Sequence, residues 1–259
     1  MGHIIPEKAY LFGVMIGDGY LHCTENKSYQ IALQAVDRDL ISEFAKCLKK
    51  VYGLEASISN IKIKTQNWND KWQARICCKE IFNDILGYGP FKTDSWKVPK
   101  IISDSSEKVQ CRFLKGFFDS EGSVGTNSRR VVAVSTNKQG LNGIKSLLSR
   151  SGINSRIHRN KEIRGNRKPC YSIRITGREN ILKYNEKIGF SIRRKQVKLD
   201  VITNNYKLYM KTHEEIKVLK PKMAKLRNEG MSYEKIAREL NIGTATVWTY
   251  LNNKHKSRN

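Results

Sequence analysis

Apolar positions along this chain keep two rhythms, helical and alternating, and they take turns in the same order twice. The run LFGVMIG at 11–17 predicts a short buried helix that ends on Gly-Asp-Gly at 17–19. Residues 20–24 and 29–36 then alternate as a strand pair. In 38–53, Leu40, Ile41, Phe44, Leu48 and Val51 fall on one helical face, and Gly53 supplies the stop. Two more alternating stretches, ASISNIKIKT (56–65) and KWQARICC (71–78), precede a closing helix over 79–89.

The second half copies that order. EKVQCRFLKGFFDSEG (107–122) is an apolar helix with an acidic end, and RRVVAVST (129–136) is a strand. Residues 137–152 form a helix with Asn137 as N-cap and Gly152 as stop. SRIHRNKEI (155–163) and CYSIRITG (170–177) alternate, and 178–189 closes the half. The period is about a hundred residues, which suggests two related subdomains. Expected boundaries are 1–90, 91–106 as linker, 107–204, and 205–259 as a separate tail.

Charge changes the picture. The 259 residues carry a formal net charge of +24, and an excess of that size points to a polyanion. The basic residues lie on the polar side of the expected strands. Lys62 and Lys64 alternate with Ile61 and Ile63, Arg156 and His158 flank Ile157, and Arg174 separates Ile173 from Ile175. With Arg75 and Arg129 these residues make a candidate nucleic-acid surface. The six cysteines include no C-x-x-C pair, so neither a zinc site nor a disulfide framework is expected. No run of about 18 apolar residues occurs, and the N-terminus lacks a secretion-signal layout. The expected setting is cytoplasmic or an organellar matrix, neither secreted nor membrane-bound.

An aspartate at the negative end of a helix is unfavourable, and here the anomaly occurs twice, at Asp18 and Glu121. Gly13 and Gly17 are four apart, as are Gly116 and Ser120, and small residues one turn apart let helix backbones approach. If the two helices pair, the two carboxylates meet, and a hard divalent cation relieves their repulsion. Two carboxylates clamping such ions suit phosphodiester hydrolysis.

LFGVMIGDG (11–19) and LKGFFDSEG (114–122) resemble the nine-residue motif of the LAGLIDADG homing endonucleases. The resemblance covers roughly residues 5–200. It implies an α+β fold, a pseudo-symmetric duplicated αββαββα unit whose antiparallel sheets form a DNA-binding saddle. It also implies a monomer acting on double-stranded DNA with a long asymmetric target, using two or more divalent ions such as Mg²⁺. Asp18 and Glu121 would hold the metals with help from the carbonyls of Gly17 and Ser120. Gln34 and Arg38 fall near the expected catalytic water, where the second half has Ser135 and Gln139. Lys195 matches a basic residue near the cleaved phosphate, with Lys97 as its counterpart.

In the tail, 205–220 reads as a basic bridging helix interrupted by Pro221. Residues 231–253 resemble a helix-turn-helix, with Ser232 as N-cap and Asn241-Ile242-Gly243 as the turn. Ala237 and Gly243 allow the close crossing, and Thr244, Ala245, Thr246, Thr249 and Asn253 face a groove. The expected function is site-specific cleavage of double-stranded DNA by an enzyme encoded in a mobile intron. Two alternatives stand beside it. One is a non-cleaving transcription regulator of the same fold, a branch that also joins a LAGLIDADG-like domain to a helix-turn-helix. The other is a maturase whose partner is intron RNA.

Overall fold

The computed structural model describes residues 4–25, 28–62, 69–91, 93–160, 169–208 and 213–252. Lys64 and Asn253, both expected to face nucleic acid, lie outside them. The chain divides into two compact units, Met1–Asp200 and Val201–Asn259.

The first unit holds the duplication. Helix α1 (Pro6–Gly17) opens with Pro6, whose fixed φ suits a first turn. Strands β1 (Gly19–Cys23) and β2 (Tyr29–Ala35) lead to α2 (Arg38–Tyr52), which ends at Gly53 in the left-handed region (φ 73°). Then come β3 (Ser57–Ile61), β4 (Lys71–Cys77) and α3 (Lys79–Leu86). A short α4 (Lys100–Ser103) follows, and the second half begins at α5 (Glu107–Glu121). It repeats the pattern with β5 (Gly122–Gly125), β6 (Arg130–Ser135), α6 (Lys138–Arg150), β7 (Ser155–Arg159), β8 (Tyr171–Thr176) and α7 (Arg178–Lys187). The two four-stranded antiparallel sheets have the same order, β1-β2-β4-β3 and β5-β6-β8-β7. This is the duplicated α+β architecture read from the sequence.

One face of each sheet is buried. Ile31, Leu33, Ala74 and Ile76 point inward from the first sheet, and Val131, Ala133, Ile173 and Ile175 from the second. Asn137 caps α6 as expected, accepting from the Gly140 amide at 2.9 Å. Its other end donates to the Trp96 carbonyl at 2.6 Å. Trp96 is buried against Phe117, with ring centroids 5.6 Å apart, and against Gly140, where a Cβ would stand 2.4 Å from the indole. The stretch between the halves is therefore packed structure and no loose tether.

Helix α8 (Arg193–Leu208) begins in the first unit. The second unit continues with α9 (His213–Val218), α10 (Lys220–Asn228), α11 (Tyr233–Leu240) and α12 (Thr244–Asn252). Pro221 sits in the first turn of α10 and starts that helix, where the sequence reading had it interrupt one. Ser232 caps α11, accepting from the Lys235 amide at 3.3 Å. Met223, Ile236, Ala237, Leu240, Ile242 and Val247 form the core of this unit. Asn241 takes the left-handed turn conformation (φ 51°). Gly243 is not needed for a close crossing, since a Cβ there would meet nothing nearer than the Thr246 hydroxyl at 3.4 Å. No helix among the described residues is long and apolar enough to cross a membrane.

Candidate metal and nucleic-acid site

Helices α1 and α5 touch backbone to backbone. A Cβ on Gly13 would stand 2.2 Å from the Phe113 carbonyl oxygen and 2.7 Å from the Phe117 amide. A Cβ on Gly116 would stand 2.3 Å from the Tyr10 carbonyl oxygen and 3.1 Å from the Val14 amide. These contacts are the same pair seen from either side, displaced by 103 residues. Further along the seam, a Cβ on Gly17 would lie 2.4 Å from the Ser120 Cβ and 3.2 Å from the Glu121 Cγ. Only small residues let the helices meet this closely, and the meeting brings their C-terminal ends together.

Asp18 caps α1, its amide bonding the Val14 carbonyl, and Glu121 is the last residue of α5. The structure therefore joins the two acids that the sequence singled out. Desolvation at the helix ends pushes the Glu121 carboxyl up to about 7, and the charge of Asp18 adds to the rise. Asp18 is also raised, again first by desolvation, and Lys195 and Lys71 oppose that rise. Two like-charged carboxylates with oxygen-only chemistry fit a hard divalent cation that keeps its remaining positions for water and phosphate. Among the described residues no cluster of three or more His, Cys, Asp or Glu offers a denser site.

Lys195 is buried, with its ammonium on the last carbonyls of α5: 2.5 Å to Asp119 O and 3.4 Å to both Phe118 O and Ser120 O. A cation there offsets the negative end of the helix. Burial lowers its proton affinity. Lys97 does not mirror it, being exposed beside the buried Trp96. The turn carrying Lys195 is tied to the first half. Arg194 grips Asp37 through two bonds of 2.5 and 2.6 Å, and the Arg193 amide donates to Asp39 at 2.7 Å.

Asp119 was not anticipated. It is wholly buried, accepting from the Tyr10 hydroxyl at 2.9 Å and from the Ser191 amide at 2.9 and 3.3 Å. It links α1, α5 and the segment leading to Lys195. Its counterpart in the first half, 103 residues earlier, is Ile16, so only one half carries this tie.

Register fixes which strand residues face away from the helices, because directly opposite residues share a face. On the first sheet these include Tyr20, Gln34, Gln73, Arg75 and Lys71. The Gln34 and Gln73 amides both donate to the Tyr20 hydroxyl, at 3.4 and 2.8 Å. On the second sheet they include Arg130, Arg156, His158 and Arg174, as expected for the last three. The described strands contain no Asp or Glu.

Some expected positions move. Ile61 pairs with Lys71 and shares the outward face, the reverse of the assumed alternation. Strand β3 is an exposed edge, so burial does not dictate which of its sides faces out. Lys62 lies past its end, ion-paired to Asp70 at 2.6 Å. Arg129 sits in the hairpin turn at φ 44°, and Arg130 takes the outward strand position instead. Arg38 stacks its guanidinium 4.6 Å from the Trp72 ring centre. Ser135 accepts from the Asn137 amide at 3.1 Å, and Gln139 is exposed. In the second unit Thr244 and Thr249 are exposed, Thr246 is half-buried, and Thr249 donates to the Ala245 carbonyl at 2.8 Å. Trp248, 54 % exposed on the same helix, escaped the sequence reading.

Residues 6–87 and 108–189 each match the family model of the LAGLIDADG-like domain. The chain belongs to the LAGLIDADG-like family. The two matches coincide with the two halves of the duplication. An uncharacterised protein of Methanocaldococcus jannaschii is 29% identical over 205 residues, covering 75% of this chain and 70% of that protein. A probable translation initiation factor IF-2 of the same organism is 27% identical over 202 residues, 74% of this chain but 16% of the factor. Its glutamine–fructose-6-phosphate aminotransferase is 25% identical over 209 residues, 78% of this chain but 18% of the enzyme. This LAGLIDADG-like chain thus corresponds to less than a fifth of the two larger relatives.

Among solved structures, I-DmoI in complex with DNA and calcium superposes with a TM-score of 0.55 at 18% identity, covering 75% of this chain and 97% of that one. The homing endonuclease I-WcaI bound to its DNA recognition sequence gives 0.53 at 17%, covering 74% and 85%. Full-length DUF199/WhiA from Thermatoga maritima gives 0.51 at 17%, covering 97% of this chain and 91% of that one. These likenesses establish the LAGLIDADG fold.

Proposed function

We propose that this chain is a site-specific DNA endonuclease that hydrolyses both strands of a long asymmetric duplex target as a monomer, using divalent metal. The observation that carries the reading is the seam of α1 and α5, which brings Asp18 and Glu121 together at two negative helix ends. Eight described strands without an acidic residue, in a chain of net charge +24, supply a surface for a polyanion. Structures of I-DmoI add support, since it binds DNA there in the presence of Ca, Mn or Mg.

Asp18 and Glu121 hold the metal in this reading, assisted by the Gly17 and Ser120 carbonyls. Bound Mg²⁺ supplies Lewis-acid polarisation of the scissile phosphate and a water of lowered pKa. Lys195 steadies the end of α5 and balances the charge of both acids. Lys71, whose charge acts on Asp18, would attract the phosphate toward the acids. Gln34, fixed through Tyr20, and Arg38 would orient the attacking water on the first half. In the second unit, α11 and α12 act as a helix-turn-helix that lengthens the contact with DNA.

The relatives bear on origin. Segments like this chain occupy small parts of a translation factor and an aminotransferase, proteins with no common chemistry. A segment recurring inside unrelated proteins behaves as an inserted unit, which fits an enzyme carried by a mobile element. The regulator reading has one observation in its favour. The WhiA likeness runs over 97% of this chain and so takes in the second unit.

The test is cleavage of randomised or host-genomic duplex DNA with Mg²⁺ or with EDTA, beside Asp18→Asn/Glu121→Gln. Discrete ends that require metal and vanish in the double variant are the expected result. Tight binding without a cut in any sequence overturns the enzyme and leaves the regulator, and preference for structured RNA leaves the maturase.

A further inference from the structure

The registers allow each outward position of one sheet to be matched with its counterpart in the other. Leu33 pairs with Gly19, and Ala133 pairs with Gly122, so β2 maps to β6 with a displacement of 100. Ala74 and Ile173 lie opposite those residues, so β4 maps to β8 with a displacement of 99, and β3 maps to β7 likewise. One matched outward pair keeps the same basic residue in both halves, Arg75 and Arg174. Around it the chemistry diverges. Gln30 corresponds to Arg130, Ser57 to Arg156, and Gln73 to Ser172.

Arg156 and Arg174 are directly opposite on neighbouring strands, and Arg130 lies one diagonal step from Arg174. Like charges placed opposite each other weaken a sheet. No acid in the described strands compensates them; Arg174 donates through Nε to the Ser172 hydroxyl at 3.2 Å, and a polyanion would supply the missing negative charge. Arginine pairs two-pronged with O6 and N7 of guanine, and the glutamine amide pairs likewise with adenine. Gln73 is already oriented by the Tyr20 hydroxyl.

We propose that Arg75 and Arg174 are matched base readers, one for each half of the target. Guanines stand at mirror-related positions in its two half-sites, read by Arg75 and Arg174. The half-site under the second sheet holds further guanine, read by Arg130 or Arg156, and the other holds adenine at the Gln73 position. The inference rests on the DNA-binding part of the function proposed above and not on cleavage.

The experiment is selection of bound sequences from randomised duplexes with the full chain, without metal, for the parent and for Arg75→Ala, Arg174→Ala and Arg130→Gln. The selected motif should show paired guanines equidistant from its centre. Arg174→Ala should erase one of them and Arg75→Ala the other, each lowering affinity for the parent site by roughly tenfold or more. Arg130→Gln should remove a guanine from one half only. If the arginine variants weaken all sequences equally and reduce the salt slope by about one each, the arginines hold phosphates and the inference fails. Absence of mirrored guanine also overturns it. A selected site that is never cut with Mg²⁺ defeats the endonuclease and leaves this inference standing. No sequence preference at all defeats it together with the DNA reading.

Discussion

Gly116 shows how much a missing side chain decides. Its neighbour across the seam is the Tyr10 carbonyl, which cannot move without unwinding α1. Gly116→Ala should cost about 3 kcal/mol and lower the melting temperature by something on the order of 10 °C, read by calorimetry. An unchanged melting temperature would mean that the helices are not in contact there. Asp119 makes a different demand. Asp119→Ala leaves the Tyr10 hydroxyl and Ser191 amide without an acceptor, at a cost of about 2–4 kcal/mol. Adding Tyr10→Phe should return part of that loss, and a double-mutant cycle measures the coupling. Strictly additive losses would deny the bond. Asp18 and Glu121 were legible in the sequence because an acid at a helix end is an anomaly and this one recurs. Asp119 was not legible, because one buried acid beside another looks like part of the same motif. Lys71 was missed because its nearness to Asp18 depends on the pairing of β4 with β2.

Elements with their own local signals were foreseen. The α2, α6 and α11 helices announce themselves through apolar spacing and through Gly53, Asn137 and Ser232. Ser232→Ala should remove about 1 kcal/mol from the second unit alone. Thermal unfolding followed at Trp248 and within the first unit would show whether the loss is confined. Asn137→Ala should cost more than an ordinary cap, since the same side chain also holds the Trp96 carbonyl. Elements fixed by their partners were not foreseen. Edge strand β3 (SISNI) exposes both sides and ends before the lysines, so the alternation of isoleucine and lysine over 61–64 carried no information about its facing. Only its register with β4 resolves this. The packing of Trp96 was equally hidden, because Gly140 and Gly143 read as weak helix residues until the indole and Val98 fill the space above them.

At the scale of the molecule, charge is segregated by secondary structure. The acids lie outside the described strands, and the outward strand faces carry arginine, lysine, histidine and amides. Binding to duplex DNA should weaken linearly in log–log form as salt rises, with a slope of about −0.9 per phosphate neutralised. A titration at several salt concentrations gives that number, and a flat response would exclude the sheets as the binding surface. The duplication itself was visible in the sequence, because both halves keep their order of rhythms. The difference between the halves was not, since the first hairpins differ in length and shift the displacement from 103 to 100, and the segments holding α2 and α6 differ by one residue and shift it to 99, which obscures the matching residues. The seam carries one more consequence. Each helix offers the other the same contact, Gly13 against Phe113 and Phe117, and Gly116 against Tyr10 and Val14. Such a surface is isologous, complementary to a copy of itself. A gene holding only the first half would thus already encode a partner for its product, and the second copy reads as that partner brought into the same chain, where it became free to differ.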